Sequence, residues 1–267
     1  MNASPPFDII RAADHEAMSQ AAAARLVAQL RRKPDSLLIL ATGNTPERAY
    51  QLLAERGRAE PGLCDRLCIL KLDEWGGLSM DDPATCEVAL RRTLVGPLGI
   101  GPDRFSGWHS TPADIEAECR RIRQWLAEHG PADLCVLGLG LNGHLGFNEP
   151  GDHLQPGPHR ARLSSESKQH SMLDQARGQP GYGLTLGLRD ILQSREILLL
   201  VSGVQKAPQL RRLLQPEITP QFPASFLWLH AAVTVCCDVA ALPVNPADSS
   251  RPAADLPASS IIRQALH

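Results

Sequence analysis

Apolar residues fall along this chain in two kinds of block. Largely apolar runs of four to six residues recur at Ser36 to Ala41, Leu67 to Leu72, Leu134 to Leu137, Ile197 to Val201 and Val233 to Cys237. None alternates with polar residues, as expected for parallel strands buried on both faces. Between them lie stretches with helical spacing. Residues 12 to 32 are alanine-rich, with Leu26, Val27 and Leu30 on one face and Arg31, Arg32 and Lys33 at the end. Further helices are expected from Glu47 to about Arg56, Thr85 to Leu94, 112 to 129, Lys206 to about Leu214 and Pro223 to His230. Strands alternating with helices imply an α/β fold: a doubly wound, mostly parallel sheet in a three-layer αβα sandwich, Rossmann-like. A single domain is expected over 1–242. A Pro/Ala/Ser-rich tail, 243–267, is expected to dock loosely or be mobile at its end.

Composition changes this picture little but excludes several functions. A chain of 267 residues, 43% hydrophobic and 21% charged, can bury a full core. The net charge of −2 and 4% aromatic content offer no basic run or stacking platform, so no nucleic-acid partner is expected. No apolar run approaches membrane-spanning length, and the first residues lack the pattern of a signal peptide, so a cytoplasmic protein without membrane association is expected. Seven cysteines form no Cys-x-x-Cys pair. They read as reduced core residues, not as a disulfide frame or a metal site.

Chemistry concentrates where strands end. The run from Leu134 breaks into glycines at Gly138, Gly140, Gly143 and Gly146, with His144 and Glu149 among them, and stops at Pro150 and Gly151. Gly138-x-Gly140-x-x-Gly143 matches the dinucleotide-binding spacing. That motif needs a long helix from its third glycine, and Pro150 and Gly151 forbid one. Three other strand ends carry polar turns. Thr42-Gly43-Asn44-Thr45-Pro46 leads into a helix, with Thr45 suited to the N-cap and Pro46 to the first helical position. Backbone N–H groups and the helix dipole there suit an anion. Asp73 and Glu74 are adjacent acids at a strand end. Adjacent side chains of an extended segment point opposite ways, so one of them is expected to face the site. Ser202-Gly203 precedes Lys206, a cation placed to hold a phosphate. In an open parallel sheet these four turns meet at one edge. The polar, basic stretch from His153 to His170 reads as a loop with a short helix, suited to a flap over that edge.

These segments carry a family resemblance. Ala41-Thr-Gly-Asn-Thr-Pro46, Lys71-Leu-Asp-Glu-Trp75, the run Gly138 to Gly151 and Ser202-Gly-Val-Gln-Lys-Ala207 resemble, in order, the motifs of the glucosamine-6-phosphate deaminase/isomerase family, over roughly residues 10 to 240. Asn-Gly-His-Leu-Gly and Pro-Ala-Ser-Phe-Leu-Trp-Leu-His are closest to its galactosamine-6-phosphate branch. The related 6-phosphogluconolactonases, which are hydrolases, share the glycine–histidine loop, but Trp75 and Glu149 argue against them. The resemblance implies a hexosamine 6-phosphate substrate, amino-sugar catabolism, and no metal or organic cofactor. His144 would assist ring opening, Asp73 would move the carbon-2 proton to carbon 1, and Glu149 would orient His144. Thr42, Gly43, Asn44, Thr45 and Lys206 would hold the phosphate, with Glu74, Gly138, Gly140, Gly143 and His170 also lining the substrate. A homo-oligomer is compatible with it.

Two positions depart from the pattern. Asn142 stands where many members have Asp, so His144 would lack one negative neighbour and Asn142 would either tune the imidazole or read the substrate. The family's phosphate-binding arginine has no match: its ungapped position falls near Met172 or Leu173, leaving Lys168 or His170 to substitute. A catalytically weak sugar-phosphate sensor is the alternative these departures keep open.

Overall fold

In a computed structural model, residues 5–242 are described; the expected tail at 243–267 lies outside them. The elements in order are β1 (Asp8–Ala12), α1 (His15–Arg32), β2 (Leu37–Leu40), α2 (Asn44–Ala59), β3 (Cys68–Lys71), β4 (Asp73–Gly76), α3 (Cys86–Leu90), β5 (Phe105–Ser106), α4 (Ile115–His129), β6 (Leu134–Gly138), β7 (His159–Ala161), α5 (Ser165–Lys168), β8 (Tyr182–Thr185), α6 (Leu188–Leu192), β9 (Glu196–Val201), α7 (Ala207–Leu213) and β10 (Val233–Asp238). Seven strands form one sheet in the order β1-β10-β9-β6-β2-β3-β5. Every pairing in it is parallel.

The missing alternation in the strands has its cause in two cores. Leu37, Ile39, Cys135, Leu137, Ile197 and Leu199 point to one face, where Ile122 of α4 and Leu210 and Leu213 of α7 cover them. Leu38, Leu40, Leu134, Val136, Leu198 and Leu200 point to the other, against Met18, Leu26 and Leu30 of α1 and Tyr50 and Leu53 of α2. Each layer contributes of the order of 25 cal/mol per Å² of apolar surface removed from water.

Several boundaries differ from the sequence expectation. β1 precedes the first helix, and α1 begins only after Asp14, whose side chain caps it by accepting from Ala17 N at 2.8 Å. The expected helix at 85–94 is capped by Thr85 but passes into a π-turn over Arg91–Val95. Pro223–Leu229 is a 3₁₀ helix, and Lys206 ends a short 3₁₀ turn before α7 instead of opening an α-helix. A second, antiparallel sheet, β4-β8-β7, was not foreseen. It makes Asp73 and Glu74 part of a strand, paired with Thr185 and Leu184. Among the described residues no helix is long and apolar enough to cross a membrane.

Chain order reverses between β2 and β6, which lie side by side. Open α/β sheets bind ligands outside the carboxyl ends of the strands at such a point. The turns after β2, β3, β6 and β9 all emerge on that edge.

Candidate active site

Asp73 opens β4 and is only 8% exposed. Burial raises its carboxyl, the neighbouring charge of Glu74 adds to the rise, and Lys71 and the Cys86 thiol draw it partly back, to about 7. Such a carboxylate is poised to take and return a proton near neutral pH.

Glu74 faces away. Fully buried, it accepts from Lys71 Nζ at 2.6 Å, from its neighbour Trp75 N at 2.8 Å, and from Cys86 N and Glu87 N at 2.9 Å. The expectation that it lines the substrate is therefore corrected. Its oxygens neutralise a buried lysine and cap the N-terminus of α3, and none is left for a ligand. The two adjacent acids point opposite ways, as the extended backbone requires.

The loop after β6 folds tightly upon itself. Gly140 N donates to His144 O and Gly143 N to Gly140 O, both at 3.0 Å. A Cβ on Gly140 would stand within 2.5 Å of His144 Cγ and Nε2, so only glycine lets the imidazole lie over that backbone. Gly143, at φ 87°, is pressed against the Phe222 ring, and its carbonyl accepts from Ala224 N at 2.9 Å. The 3₁₀ turn Pro223–Leu229 thus backs the loop. Gly138 has no such demand: a Cβ there would meet nothing within 4 Å.

His144 Nδ1 lies 3.3 Å from Glu149 Oε2, a contact whose alignment falls short of a hydrogen bond. Glu149 is a hub. Asn142 Nδ2 donates to its Oε2 at 2.8 Å, while Ser167 Oγ and Ser164 N, at 3.3 Å, donate to Oε1. Burial works against this charge, but the imidazole, Ser167 and Asn142 outweigh it and hold the carboxyl at about 2. Asn142 accepts the His144 backbone N–H on its Oδ1 at 3.1 Å. Its amide is therefore fixed in direction: donor to Glu149, acceptor from His144. Ser164 and Ser167 were missed in the sequence, where they lie in a stretch read only as a loop with a short helix.

The expected N-cap at Thr45 is displaced. α2 starts at Asn44, with Gly43 as N-cap at φ 110° and no side chain satisfying the first amides. Uncapped N–H groups at a helix start are free to bind an anion. Thr42 turns its hydroxyl inward to Cys86 Sγ at 2.9 Å, and Asn44 Nδ2 donates to Ser171 Oγ at 3.1 Å. The Thr45 carbonyl lies 3.2 Å from His15 Nε2.

His170, not the exposed Lys168, is brought to this turn: its ring would lie 3.5 Å from a Cβ on Gly43. Burial lowers its basicity, and the charges of His144 and Lys206 lower it further. Lys206 is half-buried, and burial pulls its ammonium down to about 8. Met172 stands where an arginine was sought. With Thr42, Gly43, Asn44 and Ser171 it lines a cavity of about 110 Å³ beside α2.

A family model described as glucosamine-6-phosphate isomerases/6-phosphogluconolactonase matches residues 13–236. The putative deaminase AgaI of Escherichia coli is 43% identical over 218 residues, covering 82% of this chain and 86% of that one. Glucosamine-6-phosphate deaminase 1 of Bacillus subtilis is 37% identical over 234 residues, covering 87% and 97%. Among solved structures, a monomeric glucosamine-6-phosphate deaminase superposes with a TM-score of 0.82 at 36% identity, over 88% of this chain and 98% of that one. The 6-phosphogluconolactonase of Trypanosoma brucei, at 18% identity and a TM-score of 0.73, shares the fold.

Proposed function

The chain belongs to the glucosamine-6-phosphate isomerase/6-phosphogluconolactonase family, and from that membership we propose that it is an amino-sugar-6-phosphate deaminase/isomerase. It converts galactosamine 6-phosphate or glucosamine 6-phosphate to the ketohexose 6-phosphate and ammonia. The observation that carries this reading is a carboxylate titrating near 7, Asp73, on the same sheet edge as a carboxylate-held imidazole and an uncapped helix N-terminus.

The amides of Gly43, Asn44 and Thr45, with Lys206, hold the 6-phosphate. His144 moves a proton from the anomeric hydroxyl to the ring oxygen and opens the sugar. Glu149 keeps the ring oriented and balances its charge while it carries the proton, as carboxylates do for catalytic imidazoles. Asp73 removes the carbon-2 proton, electrons pass through an enol-type intermediate, and the proton returns to carbon 1. The resulting 2-imino ketose takes up water and releases ammonia. Asp73 can serve in both directions because its pKa lies near the operating pH.

Asn142 acts through Glu149 in this account. The similarity to AgaI and the Asn-Gly-His-Leu-Gly loop favour the galactosamine epimer, and the seven free thiols fit a reducing cytoplasm. The test is ammonia and ketose 6-phosphate release by pure protein from both epimers, with 6-phosphogluconolactone as a third substrate. Turnover of an amino sugar supports the reading. Hydrolysis of the lactone alone, or binding without turnover of any of the three, overturns it.

A further inference from the structure

Asp238 ends β10 and is 4% exposed, yet it has no place in the chemistry above. Its carboxylate accepts from Ser202 Oγ at 2.5 Å, from Gly203 N at 3.1 Å on both oxygens, and from Ala241 N at 2.8 Å. These partners are neutral donors. A buried charge is costly to desolvate and needs such bonds to persist. Here they are spent largely on one turn. β9 and β10 pair as far as Val201 and Cys237, where β9 ends, while the next residue of β10 still pairs with Ala12 of β1. Ser202 and Asp238 are the first pair beyond the β9–β10 ladder.

The turn that Asp238 closes leads straight to Lys206. Gly203 sits at φ 89°, and a Cβ there would meet nothing within 4 Å, so its backbone path and not lack of space calls for glycine. The Gly203 carbonyl then accepts Lys206 N at 3.0 Å, closing the 3₁₀ turn Val204–Lys206. An unbroken set of hydrogen bonds thus runs from the carboxylate through Gly203 to the backbone of Lys206. Among the described residues no hydrogen bond or ion pair holds the ammonium, and burial lowers its basicity. A long, flexible lysine delivers a point charge, so its placement depends on where its backbone is held.

We propose that Asp238 is a positioning residue for phosphate recognition: by locking Ser202 and Gly203 it fixes the turn that presents Lys206 to the 6-phosphate. This rests on the reading of Lys206 as the phosphate anchor. Removing the lock weakens phosphate binding while leaving Asp73 and His144 in place.

The experiment measures KM and kcat for the active hexosamine 6-phosphate, and the competitive Ki of inorganic phosphate, in Asp238→Asn, Ser202→Ala, Lys206→Ala and the Asp238→Asn/Lys206→Ala pair. In Asp238→Asn both KM and the phosphate Ki should rise about tenfold, the scale of one charge-assisted hydrogen bond, with kcat within about threefold of the parent. Ser202→Ala removes one donor, and should move the same constants about threefold even if Asp238→Asn does not fold. If Asp238 acts through Lys206, the double variant should match Lys206→Ala alone, because coupled sites are not additive. A fall in kcat with an unchanged phosphate Ki, or additive losses in the double variant, overturns the proposal. If Lys206→Ala itself leaves the phosphate Ki unchanged, the anchor reading fails and the proposal falls with it.

Discussion

Replacing Asn142 by Asp tests how the charge around His144 is arranged. The two side chains are nearly isosteric, but the wild-type amide donates to Glu149 Oε2 at 2.8 Å. A carboxylate has no proton to give there, and would face Glu149 with like charge. Two charges centred about 4 Å apart repel by about 4 kcal/mol at an effective dielectric of about 20. That corresponds to about three pK units for the second ionisation of the pair. Glu149 starts at about 2, so the pair should keep one shared proton up to about pH 5 or higher. The sign follows from proton linkage. Unfolded carboxylates ionise near pH 4, so between that and the raised value the folded variant binds more protons than the unfolded chain. Its stability must fall as pH rises through that window. Asn142→Asp should therefore lose about 1–1.5 kcal/mol of stability relative to the parent between pH 4 and pH 7, about 1.4 kcal/mol for each pK unit by which the raised value exceeds the unfolded one. Urea unfolding of both proteins across that range, with ΔG from midpoint and slope, measures it directly. A deficit that does not change with pH, or a variant more stable than the parent at pH 7, would refute the facing of Asn142 and Glu149.

Three further outcomes follow from the site. With Asp73 at about 7, kcat/KM should climb with pH through about 7 as the base ionises and level off above it; a limb near pH 4 would show a carboxyl unaffected by its burial. Gly140→Ala forces the His144 ring off its position and should cost about 10² in kcat, since displacements of about 1 Å at a catalytic group have that effect; near-parental turnover would mean the ring does not act where it lies. Glu74→Ala leaves Lys71 charged and buried with one of its two ion-pair partners among the described residues, Glu87, so a stability loss of about 3–5 kcal/mol is expected by denaturant unfolding, whereas a stable variant with selectively weakened substrate binding would restore Glu74 to the ligand.

The parallel core was legible because its strands are apolar on both faces, and the site because its polar residues follow those strands. Asp73, His144, Glu149 and Lys206 were picked out as candidates that way. β1 was not, because it is an edge strand with Asp8, Ile9, Ile10 and Arg11 only partly buried or exposed, and so lacks an apolar run. The second sheet was hidden for a related reason: β4, β7 and β8 are three or four residues long and include polar or glycine positions. Which of two adjacent acids is taken up inside the protein is set by Lys71 and the amides of α3, partners up to 13 residues away that no local pattern displays. The cap at Gly43 was misplaced because Thr45-Pro46 is itself a good helix start; the positive φ that moves the start to Asn44 is a property of the turn, not of the motif.

In the proposed reaction Asp73 carries a proton between carbon 2 and carbon 1 of a hexosamine 6-phosphate. Turnover in D₂O followed by NMR examines that step alone. The parent protein should place deuterium at carbon 1 of the ketose 6-phosphate and at carbon 2 of recovered substrate. Asp73→Asn should still bind the sugar phosphate but show neither label, with a rate loss of at least about 10²–10⁴. Deuterium appearing at carbon 2 in Asp73→Asn at the parental rate would contradict the account and assign the base elsewhere.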